Sequence, residues 1–430
     1  MKITHFLFSV VGIAMLVSLT GCLRDDCSST RTYVRFDPVY KTLEECRVGI
    51  SAEGPRAMKK PGKIYAIGQY MLITELQEGI HVIDNSNPAN PVPVAFWSIP
   101  GNVDMAVRGQ YLYVDQYIDL LTIDISNLQQ PQVACRAENV FALHGFDPTR
   151  GYLVDYAQTQ ITETIDCHDD QWGNVWFVRD DVVFVSDALM SAQSTGGRPA
   201  WTNSSIPAAT GIAGSYSRFG QYDNFLYCVD NTSMRPFSIA NPSCPVAQNV
   251  IQIGWNIETI FPWKDRLFIG SQNGVFIFNA ANPAQPQLEA VFSHATGCDP
   301  VVCDEENAYV TIRDGAECRN GVTTPVNQLD VIDIRNLPSA SLRKTYPMKN
   351  PKGLSVAGKY LYLCDDGLKV YDKEDPLNMK LLAHIAGIKT YDVIAMDETH
   401  LLVVGDDGFY QYDVSDPTAP KEISRISVTP

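Results

Sequence analysis

The feature that most constrains the fold is a pattern that recurs at a nearly constant spacing. An apolar strand leads to a turn ending in Gly, a second apolar strand, an Asp or Asn, and a Pro shortly afterwards. Asp-Gly and Asn-Gly steps in several turns favour tight hairpins. The clearest copies are "MLITELQEGIHVIDNSNP" at 71–88, "LFIGSQNGVFIFNAANP" at 267–283, "LYLCDDGLKVYDKEDP" at 361–376 and "LLVVGDDGFYQYDVSDP" at 401–417, with the glycines Gly79, Gly274, Gly367 and Gly408.

The copy at 361–376 contains five carboxylates, which raises the question of a metal site. The equivalent turn at 271–274 is the neutral "SQNG", so the repeat itself does not need charge there. We therefore predict that Asp365 and Asp366 lie at the tip of a hairpin and that Asp372 to Asp375 belong to the next turn.

Weaker copies fill the intervals between the clear ones. Spacings of 40, 41, 39 and 41 residues separate those markers after the second strand that have no insertion between them. This period, with about four short strands in each unit, is typical of a β-propeller. We predict an all-β propeller of four-stranded antiparallel blades, with eight blades and seven as the alternative, because the third unit is the most divergent. The markers are Asp84, Asp124, approximately Ser186, Ser238, Asn279, Asp333, Asp372 and Asp413.

The phrases "HVIDNSNP", "LTIDISN", "LDVIDIRN" and "YDVSDP" resemble the LVIVD-repeat family of bacterial β-propellers. The similarity extends over residues 63–428. It implies a propeller and often an exported lipoprotein. It does not imply an activity or a set of catalytic residues.

The N-terminus has the features of an export signal. Lys2 precedes an apolar run from Phe6 to Leu19 that is too short for a comfortable membrane span. The following "LTGC" resembles the lipobox of bacterial lipoproteins, with Cys22 as the lipidated residue. The next residues, "LRDD", are similar to the signal that directs Bacteroidetes-type lipoproteins to the surface of the outer membrane; the alternative is a tether that faces the periplasm. We therefore expect a signal peptide at 1–21, a lipidated tether and lead-in at 22–60, and one propeller domain at 61–430 with insertions near 157–181 and 315–328.

Charge and cysteine content limit the partners and the compartment. A formal net charge of −16 leaves no basic surplus for gripping nucleic acid. Without Cys22, ten cysteines remain, which is compatible with disulfides in an exported protein. Cys298 and Cys318 are expected on the same face of one blade, where they could form a disulfide. Cys303 ends an inner strand, so we expect it to be buried.

A ring of acidic residues is the first candidate site. They should stand near the starts of innermost strands, at the top of the central channel, where the d-to-a and b-to-c loops lie. Such oxygen ligands could hold Ca²⁺, and the sequence suggests no other cofactor. The alternative is that each carboxylate accepts backbone amide hydrogen bonds. The residues are Asp104, Glu258, Asp299 and Asp392.

The second candidate is the loop surface of the top face. The longest insertion contains His168, Asp169, Trp172 and Trp176, and Trp97 and Trp255 are expected on the same face. Loops of this length are often functional. Nucleophile, phosphate-binding and zinc-hydrolase motifs are absent from the sequence.

These observations favour a non-enzymatic envelope lipoprotein that binds an envelope protein or a glycan through its top face. One alternative is a polysaccharide-acting hydrolase or lyase that uses the carboxylates at the channel mouth. Another is a structural role in an envelope complex.

Overall fold

The computed structural model describes residues 28–141, 146–166, 212–213, 215–272, 274–294, 300–313 and 326–428. The chain divides into two compact units, one with residues 1–38 and 156–184 and the other with residues 39–155 and 185–430. The larger unit contains the ring of sheets described below. No helix in the described ranges is long and apolar enough to cross a membrane.

Strands dominate the described chain. The elements before the ring are β1 (Ser28–Lys41), the helix α1 (Leu43–Cys46) and β2 (Ser51–Glu53). Blade 1 consists of β3 (Pro61–Ile67), β4 (Tyr70–Glu75), β5 (Gly79–Asp84) and β6 (Val92–Ser98), and blade 2 of β7 (Met105–Arg108), β8 (Tyr111–Gln116), β9 (Asp119–Asp124) and β10 (Gln132–Ala137). Between blades 2 and 3, the described residues form β11 (Phe146–Asp147), β12 (Gly151–Asp166) and β13 (Ile212–Ala213).

The remaining strands continue the ring. Blade 3 consists of β14 (Phe219–Tyr222), β15 (Phe225–Val229), β16 (Ser233–Ser238) and the short β17 (Val246–Ala247) and β18 (Ile251–Gln252). Blade 4 consists of β19 (Ile257–Trp263), β20 (Arg266–Ser271), β21 (Gly274–Asn279) and β22 (Gln287–Ser293), and blade 5 of β23 (Val301–Cys303), β24 (Asn307–Ile312), β25 (Gln328–Asp333) and β26 (Ser341–Pro347). Blade 6 consists of β27 (Pro351–Ala357), β28 (Tyr360–Asp365), β29 (Leu368–Asp372) and β30 (Lys380–Ile385), and blade 7 of β31 (Thr390–Ala395), β32 (His400–Gly405), β33 (Gly408–Asp413) and β34 (Lys421–Ser427).

Each blade is an antiparallel meander whose strands we call a to d from the inside outwards. Its second strand is an apolar run: in β32, five consecutive residues after His400 are buried. An uninterrupted buried run of this kind indicates that both faces of the sheet are covered. Apolar cores therefore lie between neighbouring blades, and no blade is expected to fold alone.

The repeat pattern is explained by two turns. Gly408 opens strand c with φ of 148°, and a Cβ there would lie 2.4 Å from the carbonyl oxygen of Ile426, so only glycine fits. At the other end of strand c, the Asp413 carboxylate accepts the amide N–H of Ser415 at 2.9 Å. This Asx turn starts the c-to-d connection. The same bond recurs at Asp84, Asp124, Asn279, Asp333 and Asp372.

The residue at the Pro position of the repeat ties blades together. Its carbonyl accepts a hydrogen bond from a side chain of the preceding blade at five interfaces. Blades 4 and 5 contact through β19 and β23, and blades 6 and 7 through β27 and β31. The hydrogen bond between blades 7 and 1 closes the ring. The bonds are Trp97 Nε1 to Leu128, Tyr113 Oη to Pro242, Tyr227 Oη to Pro283, Tyr346 Oη to Pro376 and Gln411 Nε2 to Pro88.

The described residues contain eight sheets, of which seven are the blades of the ring. Blades 2 and 3 are direct neighbours, since Arg108 also donates to the carbonyl of Asp223. The described residues therefore form a ring of seven blades, which is the alternative count. The first half of the divergent third unit, 152–158, lies in β12, which pairs with β1 and β11 instead of forming a blade. Its second half, near Ser186, and most of the insertion at 315–328 lie outside the described residues.

Part of the lead-in packs on the ring. Thr42 caps α1 in a capping box with Glu45, and Arg47 forms a 2.8 Å ion pair with Asp119 of blade 2. Strand β2 pairs with β6, the outer strand of blade 1. The lead-in at 22–60 thus includes a segment that protects a sheet edge.

Candidate functional site

A short segment crosses the centre of the ring. Strand β13 pairs with β3 of blade 1. Ser215 donates through its amide (3.1 Å) and its hydroxyl (2.9 Å) to Asp392 of blade 7, and its Oγ accepts the amide N–H of Leu354 of blade 6 at 2.8 Å. The carbonyl of Ser217 accepts from Ile260 of blade 4 at 2.6 Å. Because these partners belong to innermost strands on different sides of the ring, residues 212–213 and 215–218, which we call the central segment, fill its middle.

Asp104 lies directly before β7 and is fully buried against the central segment. Its Oδ2 accepts the Arg218 amide N–H at 2.7 Å, and its Oδ1 accepts the Met105 amide N–H at 2.6 Å. The Lys63 ammonium of blade 1 contacts the same carboxylate. Lys63 Nζ is also 2.6 Å from Ser217 Oγ.

A second ion pair accompanies the first. The Arg218 guanidinium contacts Asp115 at 2.8 Å, and both side chains are less than a tenth exposed. Burial raises the pKa of Asp115, although the positive charge of Arg218 opposes the rise. Burial, assisted by the charge of Arg218, lowers the pKa of Lys63 well below its ordinary value. Such a low-dielectric environment penalises every charge that lacks a partner.

Asp392 is the other described carboxylate of the predicted ring that bonds to the central segment. Burial raises its pKa to about 7, although hydrogen bonds from the Ser215 amide and hydroxyl and from the Val393 amide lower it in part. Glu258 lies at the start of β19 and accepts from Gln272 Nε2 at 3.0 Å. Asp104 and Asp392 thus have the backbone amide partners that were the alternative to a Ca²⁺ site.

A metal site finds no support in the part of the chain that is described. No group of three or more His, Cys, Asp or Glu side chains there could hold an ion. Asp299, the remaining member of the predicted ring, lies outside the described residues. Asp365 and Asp366 end β28 and begin the hairpin turn, where Asp365 accepts the amides of Lys349 and Asn350 at 3.0 and 2.6 Å.

Trp255 is a highly exposed aromatic side chain among the described residues of the top face. It is 75% exposed in the d-to-a loop of blade 4. The loop is held in place next to the tryptophan, because the Asn256 carbonyl accepts the amide N–H of Gln272 in the b-to-c turn at 3.1 Å. Trp97, expected on this face, lies in β6 instead and is fully buried between blades 1 and 2. Its strand position explains the error, since an aromatic ring in strand d can pack against the next blade.

The top face also contains a cavity of about 390 Å³ at blade 1. Beneath it, the buried Glu75 carboxylate accepts from the amide of Lys59 at 3.0 Å and from His81 Nε2 at 2.9 Å. Burial alone would raise the pKa of Glu75, but these bonds outweigh it and the pKa is lowered. The cavity is lined by Lys59, Lys60, Glu75, Leu76, Gln77, Glu78, Val103 and Asp155.

The described disulfide was not among the sequence-based predictions. Cys135 in β10 of blade 2 bonds to Cys244 in the c-to-d turn of blade 3, across 109 residues of chain. The sequence-based prediction of eight blades places a whole blade between these two cysteines. It therefore gave no reason to expect that they would pair. Cys303 is buried, as expected, and unpaired, like Cys46, Cys228 and Cys364.

Several predicted site residues cannot be placed. The lipidation site, the predicted disulfide and the residues of the long insertion all lie outside the described ranges. They are Cys22, Cys298, Cys318, His168, Asp169, Trp172 and Trp176.

Comparison with known proteins agrees with the repeat and the ring. The fold is that of a β-propeller. The LVIVD repeat model matches residues 61–95 and 101–137, which correspond to blades 1 and 2, so the chain is a β-propeller with LVIVD repeats. No curated protein matches the sequence significantly.

Solved structures are similar in fold. One is a protein from Lactobacillus plantarum, with 10% identity, a TM-score of 0.53, and coverage of 86% of this chain and 97% of that chain. Others are the periplasmic gluconolactonase PpgL of Pseudomonas aeruginosa (12% identity, TM-score 0.47, 85% and 96% coverage) and BamB from Moraxella catarrhalis (11%, 0.44, 80% and 81%). Only the first similarity is high enough to support the fold, and it concerns the fold alone.

Proposed function

We propose that this protein is a non-enzymatic binding scaffold of the cell envelope whose top-face loops contact an envelope protein or a glycan. The observation that carries the proposal is the exposure of Trp255. A large aromatic ring in water contributes nothing to the core, whereas tryptophan is enriched among residues that dominate binding interfaces. Its loop is anchored to the neighbouring turn, so the loop would lose little conformational entropy on binding.

The cavity at blade 1 also supports ligand binding at the top face. Its volume falls within the range of small-ligand sites, and charged groups of both signs line it. A sugar unit of a glycan or a side chain of a protein partner would find donors in Lys59 and Lys60 and acceptors in Glu78 and Asp155.

The hydrolase or lyase alternative receives less support. Its acid and base would be the carboxylates at the channel mouth. Asp104 and Asp392 are 0% and 4% exposed and hydrogen-bond to the central segment, so neither reaches a substrate without rearrangement of the ring.

We also propose that the chain is exported and anchored in the outer membrane, at the cell surface, by a lipid on Cys22. The Cys135–Cys244 disulfide supports export, because such bonds persist in oxidising compartments. Replacing Cys22 with Ala should abolish incorporation of labelled lipid and move the protein out of the membrane fraction. Protease treatment of intact cells distinguishes surface exposure from a periplasm-facing anchor.

Binding is tested by comparing Trp255→Ala with the matched control Leu342→Ala, which removes a 51% exposed apolar side chain from a strand on the rim. Each full-length variant is immobilised and exposed separately to solubilised envelope proteins and to purified envelope polysaccharide. We expect wild type and Leu342→Ala to retain one of these two ligands and Trp255→Ala to lose at least about tenfold in affinity, the loss of one interface anchor. Equal retention by all three proteins would contradict a role for Trp255.

A further inference from the structure

The buried pair between blades 1 and 2 has the parts needed for a covalent bond. Lys63 lies in β3, the innermost strand of blade 1, and Asp104 stands directly before β7, the innermost strand of blade 2. Both side chains are 0% exposed, and the lysine nitrogen contacts a carboxylate oxygen. Two reacting groups held in contact by a packed fold have a very high effective concentration.

Burial favours the uncharged forms of this pair. A proton that passes from the Lys63 ammonium to the Asp104 carboxylate leaves a neutral amine and a neutral carboxylic acid, which cost less to bury than two ions. The surroundings act in the same direction on the lysine: burial and the nearby Arg218 cation lower its pKa. The Phe219 ring, whose centroid lies 5.9 Å from Lys63 Nζ, provides an apolar wall. A neutral amine is a nucleophile, whereas an ammonium is not.

The carboxyl group is also positioned for attack. The Arg218 amide N–H points at Asp104 Oδ2 from 2.7 Å and the Met105 amide N–H points at Oδ1 from 2.6 Å. Fixed amide donors at a carboxyl oxygen stabilise the negative charge that develops when a nucleophile adds to the carbon. Ser217 Oγ, 2.6 Å from Lys63 Nζ and 3.4 Å from Asp104 Oδ2, can relay a proton between them.

We propose that Lys63 and Asp104 form an intramolecular amide bond that joins blade 1 to blade 2. The Nζ–Cγ bond forms as the neutral amine adds to the protonated carboxyl group. The Cγ–OH bond then breaks, and the hydroxyl leaves as water with a proton from the former amine. The step needs no oxidant, reductant or further reactant. It is an autocatalytic modification and is independent of the proposed binding function.

The bond would give the ring two consecutive covalent connections. The amide links blades 1 and 2 near the axis, and the Cys135–Cys244 disulfide links blades 2 and 3 near the rim. The disulfide joins the two blades whose chain connection contains the long insertion, where chain connectivity helps least to hold neighbouring blades together, and the amide would join blade 2 to the blade before it.

Mass spectrometry of the purified full-length protein tests this directly. After reduction of disulfides, the chain is digested with trypsin and a glutamate-specific protease. Glu75 and Glu78 separate Lys63 from Asp104, so complete digestion cuts the chain between them. We expect the two resulting peptides to remain joined, with a combined mass lower by one water molecule and no tryptic cleavage after Lys63.

The Lys369–Asp365 pair is an internal control. Its Nζ–Oδ2 distance is 2.6 Å, but Lys369 is 12% exposed. We expect normal tryptic cleavage after Lys369. Lys63→Arg should abolish the joined peptide in folded protein, and Lys369→Arg should leave it unchanged. Separate, unmodified peptides from the wild-type protein, with cleavage after Lys63, would overturn the proposal whether or not the Lys63→Arg variant folds.

Discussion

Carboxylates at the centre of the ring and carboxylates on its rim perform the same hydrogen-bonding task at very different cost. On the rim, Asp413 accepts an amide of its own turn and is only partly buried. At the centre, Asp104, Asp115 and Asp392 are buried and bind residues far away in the chain. The rim residues define the repeat, whereas the central ones hold the segment that interrupts it. Chemically similar residues are therefore local turn formers in one place and ring-closing groups in the other.

The largest expected difference between the two regions concerns their arginines. Arg218→Met leaves the Asp115 carboxylate buried without its partner, and breaking a buried pair costs about 3–5 kcal/mol of unfolding free energy. Arg335→Met removes the exposed partner of Asp333 on the rim and should change little, since exposed pairs contribute little. Urea unfolding of both variants measures the difference. Similar losses in the two would show that burial does not separate the regions.

The next effect concerns the covalent link at the rim. Replacing Cys135 and Cys244 together with Ser should lower the unfolding free energy by about 2–4 kcal/mol, because the disulfide closes a long loop in the unfolded chain. Thermal unfolding with and without reductant provides the check. The wild-type midpoint should fall in reductant, while that of the double variant stays fixed. A wild-type midpoint insensitive to reductant, with the bond shown to be reduced, would contradict this prediction.

The remaining comparison is a pH dependence of opposite sign in the two regions. The folded-state pKa of Asp392 is raised from 3.8 to about 7, so the folded protein retains a proton that the unfolded chain releases. Stability linked to this group is complete below the unfolded pKa and is lost as pH rises through the folded value. Hydrogen bonds from the Ser415 hydroxyl and amide lower the pKa of Asp413, so its contribution is present above the unfolded pKa and is lost as pH falls through the folded value.

Asp392→Asn and Asp413→Asn isolate these contributions. The first should flatten the decline of unfolding free energy between about pH 4 and pH 7, and the second should slightly flatten the decline on the acid side. Asn279 already accepts the equivalent amide hydrogen bond in blade 4, so Asp413→Asn should retain the turn. Urea unfolding over a pH series gives both slopes. A wild-type slope that survives Asp392→Asn would assign it to another group.

Much of the ring could be predicted because its signals are local. The repeat predicts that strand c of blade 7 begins at Gly408 and contains Asp413, and it does. The markers Asp84, Asp124, Asn279, Asp333 and Asp372 likewise end strand c, since an Asx turn needs only its own neighbours in sequence. The blade count was not fixed in this way. Residues 152–158 have the alternation of a blade strand, but which strand they pair with depends on contacts with β1.

The candidate site likewise contains some residues that the repeat predicts and others that it does not. Asp104 and Asp392 could be assigned to the starts of inner strands from the period alone. Their partners Ser215, Ser217 and Arg218 lie in a stretch that follows no repeat, so no spacing indicated them. The sequence predicts both Trp255 and Trp97 on the top face. Trp255 is exposed there, whereas Trp97 is buried in strand β6.

The sequence by itself determined that short apolar strands, glycine turns and Asx turns repeat with a period suited to propeller blades, because these features depend on residues within a few positions of one another. Only the tertiary structure decided that the described strands form a ring of seven blades, that a segment from outside the repeat occupies its centre, and that Lys63 contacts Asp104 there. These outcomes depend on which surfaces, distant in the chain, pack against each other and become buried. The spacing of residues along the chain does not specify that packing.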